Sequence, residues 1–353
     1  MTIVCAKQVL LSQMLCKTKS SSTLQQLGWA RLRRHVKQQL TQALLNLWVF
    51  STASGQPNSF DTSASSTYQL LNHDFSIRYV SGSAHGDWVK DNVTFGSDSV
   101  TSLQFAVINS PTQEGESAGV FGIGQEAQES SAEIGSTYVN FPAALEQEGV
   151  TKVNAYSLYL DSIEAKNGSS VLFGGVDTSK YTGTLWTIPF TSQVSFNVDF
   201  QVAGDQNNGV LDSGTSLTYL PESTLEKIAS TYGATFNFQL KSYVLDGEEP
   251  STNEPLVYTF SNGATVTVPT SELFIQDSQS GSTILMLLPT SMSQGITLLG
   301  DSFLRSAYVV YNLDANICGI AQANWSPGPS NIVEITGDTI PGSESNSQSS
   351  SGF

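Results

Sequence analysis

One carboxylate set in a short polar turn between two apolar runs constrains this chain more than any other stretch. Residues 210–221 read Val-Leu-Asp-Ser-Gly-Thr-Ser-Leu-Thr-Tyr-Leu-Pro. The apolar residues on either side favour strands in a core, so Asp212 is delivered to the point where that core turns. Ser213, Thr215 and Ser216 carry hydroxyls able to hydrogen-bond a carboxylate, and Gly214 lets the backbone close around it. A carboxylate held by several donors stays ionised at little cost, which suits a general base. Asp-Ser-Gly is also an ordinary turn sequence, and on pattern alone both readings stand.

The remainder reads as strands. Only 13% of the 353 residues are charged and 29 are glycine, so long charged helical faces are scarce. Such a chain can bury a large core and is expected to form two lobes. Phe75 to Val80 alternates with period two, and the turn Ser81 to Gly86 follows. A return strand from Asp87 to Phe95 makes the pair a long hairpin. The apolar-glycine run Gly119 to Gly124 suits close backbone packing. Residues 138–149 read as a helix with Pro142 in its first turn and Gly149 as its cap, and Pro221 to Ala229 as a second. Val120-Phe121-Gly122 and Leu298-Leu299-Gly300 form a weak internal repeat, and Asp212 precedes the second of them. The repeat poses the question of an analogous acid in the first half. After Trp325 the chain is rich in Ser, Pro, Gly and Asn, so residues 326–353 are expected to be a disordered tail.

Charge divides the chain. Lys7, Lys17, Lys19, Arg31, Arg33, Arg34 and Lys37 precede the first acidic residue, Asp61, leaving eight bases against all 31 acids beyond it. That acidic body would be repelled by nucleic acid. It suits work at low pH, where protonation reduces self-repulsion. Residues 1–45 are therefore read as an extraneous basic head, from a wrongly assigned start or a transit segment. No stretch reaches the length of a membrane-spanning helix. His35, His73 and His85 are scattered, and Cys318 is the one cysteine of the body, most simply a buried apolar residue. Neither a metal set nor a disulfide framework follows, and no cofactor is expected.

Several segments together resemble the pepsin-like aspartic proteases. Asp212-Ser213-Gly214-Thr215 resembles the second active-site motif of that family, and Asn46-Leu47-Trp48-Val49 the tail of the first. Tyr79-Val80-Ser81-Gly82-Ser83 resembles the flap hairpin with its tyrosine. Leu172 to Asp177, with Tyr181-Thr182-Gly183, resembles the junction between lobes. Leu299-Gly300-Asp301-Ser302-Phe303-Leu304-Arg305 is similar to the candidapepsin and yapsin branch of fungal enzymes. The resemblance covers about residues 46–325. It implies an all-β, bilobal acid-protease fold, with a cleft between two β lobes and a few short helices. The lobes would span 46–188, with the flap, and 189–325, with Asp212. It also implies a monomer acting on a peptide or protein, with two aspartates sharing one proton, one activating water and the other polarising the peptide carbonyl. On this basis Asp212 is catalytic and Tyr79, Ser81, Gly82, Ser83, Gly214, Thr215 and Ser216 contact substrate. Trp48 and Ser213 support them.

The resemblance breaks at the first aspartate. Counting back six residues from Leu47 reaches Thr41, so Thr41-Gln42-Ala43 stands where the family has Asp-Thr-Gly. Asp61 follows the Leu-Trp-Val segment and reads as a solvated turn. The missing acid and the basic head end at nearly the same place, so one splice or start error would explain both. Otherwise the chain is a pseudo-protease whose cleft binds peptide without cutting it. A homodimer supplying Asp212 twice would require the first lobe to move aside. Sequons at Asn92, Asn167 and Asn324 fit a secreted glycoprotein, and the Ser-rich tail resembles the stalk of wall-anchored relatives. An extracellular or cell-wall location is expected.

Overall fold

The computed structural model describes residues 47–345, apart from 57–58, 79–82, 96–97, 110–118, 126–137, 166–167, 246, 248 and 278–279. It also describes the backbones of residues 8–10, 25–29 and 32–41. Three seven-stranded sheets carry the molecule. The first holds, in spatial order, Gln25–Trp29, Leu32–Thr41, Gly119–Gly122, Leu47–Phe50, Asp98–Ile108, Ser83–Phe95 and Gln69–Arg78. Its counterpart in the second half runs Thr265–Val268, Leu256–Phe260, Asn197–Val202, Asp205–Leu211, Leu298–Leu299, Thr218–Leu220 and Leu287–Pro289. The third is shared between the halves: Ala155–Tyr159 pairs antiparallel with Ala307–Asn312, which pairs in turn with Ile317–Ala323. A four-stranded sheet packs beside the second half.

The alternation seen between Phe75 and Phe95 forms the expected hairpin, with Gln69–Arg78 antiparallel to Ser83–Phe95. Four short α-helices lie among the described residues. In α1 (Phe141–Gln147), Asn140 caps the N-terminus by accepting from the Ala143 amide at 3.2 Å, with proline in the first turn. Gly149 follows with φ +71°. α2 (Glu222–Tyr232) runs three residues past its expected end and stops at Gly233, whose φ of +76° closes it. α3 (Thr270–Leu273) and α4 (Asp301–Leu304) are single turns.

The largest core cluster runs without a break through both halves, from Leu47 and Val89 to Leu211, Phe303 and Tyr311. Gly119 permits one of its tightest approaches, since a Cβ there would lie 2.3 Å from the Trp48 carbonyl oxygen. Cys318 is fully buried in this core, as expected, and burial pushes its thiol well up. No helix among the described residues is long and apolar enough to cross a membrane.

Two expectations are corrected. Residues 326–345 are packed against the shared sheet rather than disordered. Ile332–Glu334 pairs with Gly175–Asp177, and Ser343–Glu344 runs parallel to Tyr181–Pro189. Ile335 and Ile340 are buried against Val153, Leu185 and Tyr308. Two isoleucines and a run of side-chain hydrogen bonds anchor this strap, which its bulk composition hides. Residues 346–353 lie outside the described set. The head does not stand wholly apart either: Gln38 to Thr41 pair in parallel with Gly119 to Gly122, because the inner strand of that sheet needs a neighbour on that side.

Candidate active site

The turn carrying Asp212 is fixed by a short strand threaded between the chain entering it and the chain leaving it. Val210 and Leu211 lie parallel to Leu298 and Leu299, and the Asp212 amide donates to the Leu299 carbonyl at 3.0 Å. On its other side Leu298 faces Tyr219 in the antiparallel sense. Gly300 then passes under the turn so closely that a Cβ would lie 2.2 Å from the Leu217 oxygen and 2.4 Å from that of Thr215. Only glycine fits there.

Asp212 is 5% exposed. One carboxylate oxygen accepts the Gly214 amide at 2.8 Å and the other the Thr215 hydroxyl at 2.5 Å. Both donors favour the ionised form. The Gly214 amide and the Thr215 hydroxyl thus hold the carboxylate, and the Ser213 hydroxyl does not. This buried hydroxyl has no hydrogen-bond partner among the described residues, because the turn presents to Asp212 the groups two and three residues on. Ser216 is exposed, and its carbonyl accepts the Ser302 amide at 3.2 Å.

Residues that carried no assigned role in the sequence complete this half-site. α4 is latched beneath the turn: the Asp301 amide donates to the Thr215 carbonyl at 2.8 Å. The Ser302 hydroxyl accepts the Thr218 amide at 2.9 Å and lies 3.0 Å from the Thr218 hydroxyl. Burial pushes the Asp301 carboxyl up to about 7; Arg305 opposes the shift and the Asp212 charge adds to it. Arg305, on the same turn, binds the buried Glu272 carboxylate through Nε at 2.5 Å. The other Glu272 oxygen accepts the Ile163 amide at 2.9 Å. Only the position of Asp301 and Arg305 beside Gly300 could have pointed to them.

The first half repeats the backbone crossing. Gln39, Leu40 and Thr41 lie parallel to Val120, Phe121 and Gly122, and Trp48 faces Val120 in the antiparallel sense. Superposing the two registers matches Val120 with Leu298 and Trp48 with Tyr219. It therefore matches Thr41 with Asp212, each seven residues before its partner strand position. The position reached by counting along the sequence is the position reached through the hydrogen-bonded sheet. Gln42 and Ala43 lie outside the described residues. Asp61 caps a short turn, accepting from the Ser63 amide at 3.1 Å and its hydroxyl at 2.6 Å, as the turn reading requires.

Trp48 is completely buried, edge-on to Phe50 at 5.3 Å, in a cluster with Phe75, Trp88 and Tyr138. That cluster ties the Leu-Trp-Val strand to the long hairpin. At the hairpin tip, Tyr79, Ser81 and Gly82 lie outside the described residues, and Ser83 is the first residue of the return strand, paired with Arg78.

A two-lobed β molecule with a carboxylate at a repeated strand crossing defines an acid-protease architecture. It overlays on an aspartic proteinase from Irpex lacteus with a TM-score of 0.74. That overlay covers 87% of this chain and 96% of the other at 19% identity. Residues 45–323 match the family model for eukaryotic aspartyl protease. A candidapepsin of Candida tropicalis is 38% identical over 303 residues, covering 80% of this chain and 74% of the relative. Secreted aspartic protease 8 of Candida albicans is also 38% identical, over 78% of this chain and 66% of its own length. Aspartic proteinase 3 of Saccharomyces cerevisiae is 38% identical over 80% of this chain and 53% of its own. The chain belongs to the eukaryotic aspartyl protease family.

Proposed function

We propose that the chain is an acid-acting, secreted endopeptidase by descent whose hydrolytic chemistry is impaired because one of its two carboxylates is missing. The observation that carries this is the matched register of the two crossings, with Asp212 in one and Thr41 in the other. Asp212, held by Gly214 and Thr215, is suited to accept a proton from water as it attacks a peptide carbonyl. A threonine hydroxyl neither carries the partner charge nor holds the shared proton that polarises that carbonyl. Tyr79 with Ser81, Gly82 and Ser83 would close over an extended peptide, which Ser216 and the Asp212 turn would meet from below. The working form would be a monomer outside the cell or in its wall.

The test is restoration. The variant Thr41→Asp/Gln42→Thr/Ala43→Gly is expected to cut an acid-denatured protein at least about 1,000-fold faster than the parent chain. Adding Asp212→Asn is expected to abolish the gain. A parent that cuts as fast as the restored variant, or a gain that survives Asp212→Asn, would refute the reading. The Thr41 position also favours a second reading, a cleft that binds peptide and releases it intact. Titration calorimetry of the parent with peptides from such a digest checks it, and heat without cleavage is the outcome expected.

A further inference from the structure

The geometry points to Asn92 as an acceptor of N-linked glycan, held with its oxygen engaged and its nitrogen available. The inference rests on the secreted reading above. Asn92-Val93-Thr94 is one of the chain's three sequons, and it lies in the strand Ser83–Phe95 at a break in the ladder. Asp91 faces Leu103 and Val93 faces Val100, so Thr101 and Ser102 together face the single residue Asn92. Ser102 adopts φ +52° in this bulge. The Asn92 side-chain oxygen takes the Ser102 amide at 2.9 Å, satisfying a donor that the bulge removes from the ladder. The amide nitrogen of that side chain has no partner among the described residues. Asn92 and Thr94 are both partly exposed, whereas Asp91 and Val93 between and beside them are buried. Residues two apart on a strand share a face, so the acceptor amide and the sequon hydroxyl stand together toward solvent.

The other sequons lack this arrangement or lie outside the described residues. Asn324 spends its side-chain nitrogen on the Ser179 carbonyl at 3.0 Å and its oxygen on the Ser326 amide at 3.1 Å. Trp325 between them is anchored through its ring nitrogen to the Arg305 carbonyl at 2.7 Å. A sugar on Asn324 would break the first of these bonds. Asn167 is outside the described residues. In the transfer, the Asn92 amide nitrogen displaces a lipid diphosphate from C1 of its oligosaccharide. A C–N bond forms, the C–O bond to the diphosphate breaks, and the amide proton leaves with the lipid diphosphate. The donor is the lipid-linked oligosaccharide of the secretory pathway, and a membrane transferase of that pathway is the catalyst. The product keeps its carbonyl oxygen, so the bond to Ser102 survives modification.

The full chain, fused to a cleavable signal sequence, would be translated with microsomes and treated with N-glycanase in heavy-oxygen water. Peptide mapping is then expected to find heavy-oxygen aspartate at position 92, and to lose it in Asn92→Gln and Thr94→Ala but keep it in Thr94→Ser. The sequon is read as the chain enters, so a variant that folds poorly still reports; the folded geometry bears on whether the fold then accommodates a sugar at Asn92 without loss of a native bond. Protected, signal-cleaved chain with position 92 unlabelled overturns the assignment, as does label at Asn324 with none at Asn92. The fused signal separates this from the question of where the native chain goes. Native protein retained inside its host cells would count against the secreted reading and leave the acceptor result intact.

Discussion

Asp301 makes stability depend on pH through a single carboxyl. Burial raises its folded-state value from 3.8 to about 7, so between those values the native chain holds a proton that the unfolded chain releases. Its contribution is fully present below about pH 4 and lost as pH rises through about 7. Asn mimics the protonated acid, so Asp301→Asn is expected to flatten the decline in urea-unfolding free energy between pH 4 and 7. Parallel curves for the two proteins would show that the loss comes from general charge repulsion instead. At this scale the sequence exposed the holders of Asp212 only in part. Gly214 and Thr215 follow from their spacing, but whether a neighbouring hydroxyl turns toward the carboxylate depends on how the turn closes. Ser213 and Thr215 are equally plausible on paper, and the tight crossing under Gly300 selects Thr215.

Among the elements, α4 shows how a single helical turn becomes rigid. It is tied above to the Asp212 turn and below, through Arg305, to Glu272 on α3. The pair is almost entirely buried, with side chains 10% and 2% exposed. Removing one partner strands the other charge, at a cost of about 3–5 kcal/mol. Glu272→Ala is expected to lose that much in urea titration, and Glu272→Ala/Arg305→Met to recover a substantial part. A loss below about 1 kcal/mol in the single variant would mean that water or another group already compensates Arg305. The helices α1 and α2 were legible because proline, glycine and apolar spacing act within a few residues. The α3–α4 pair was not, since its charges are 33 positions apart and meet only after folding.

For the molecule as a whole, the shared sheet and its strap decide how the halves are held. The strap is pinned by Asp177, which accepts from the Ser330 hydroxyl at 2.7 Å and the Asn331 amide at 2.9 Å. Burial alone would raise this carboxyl, and the hydrogen bonds from Ser330, Asn331 and Ser179 outweigh it, holding it below the usual range. Ending the chain after Ser326 would expose the cluster that Ile335 and Ile340 cover and cost about 3–6 kcal/mol for two buried isoleucines. Thermal unfolding is expected to register the loss, and an unchanged midpoint would show that the strap only rests on the sheet. The sequence by itself determined the class of fold, the hairpin, the acid at Asp212 and the threonine at position 41. Each of these is written in residues close together, where alternation, turn chemistry and fixed counts to a strand operate. Tertiary structure alone decided that Thr41 and Asp212 occupy matching crossings, that Arg305 meets Glu272, and that a polar-looking terminus is packed. Those outcomes depend on segments that meet only in the folded chain, 33 positions apart for Arg305 and Glu272 and farther for the paired strands, and a local pattern carries no information about its distant partner.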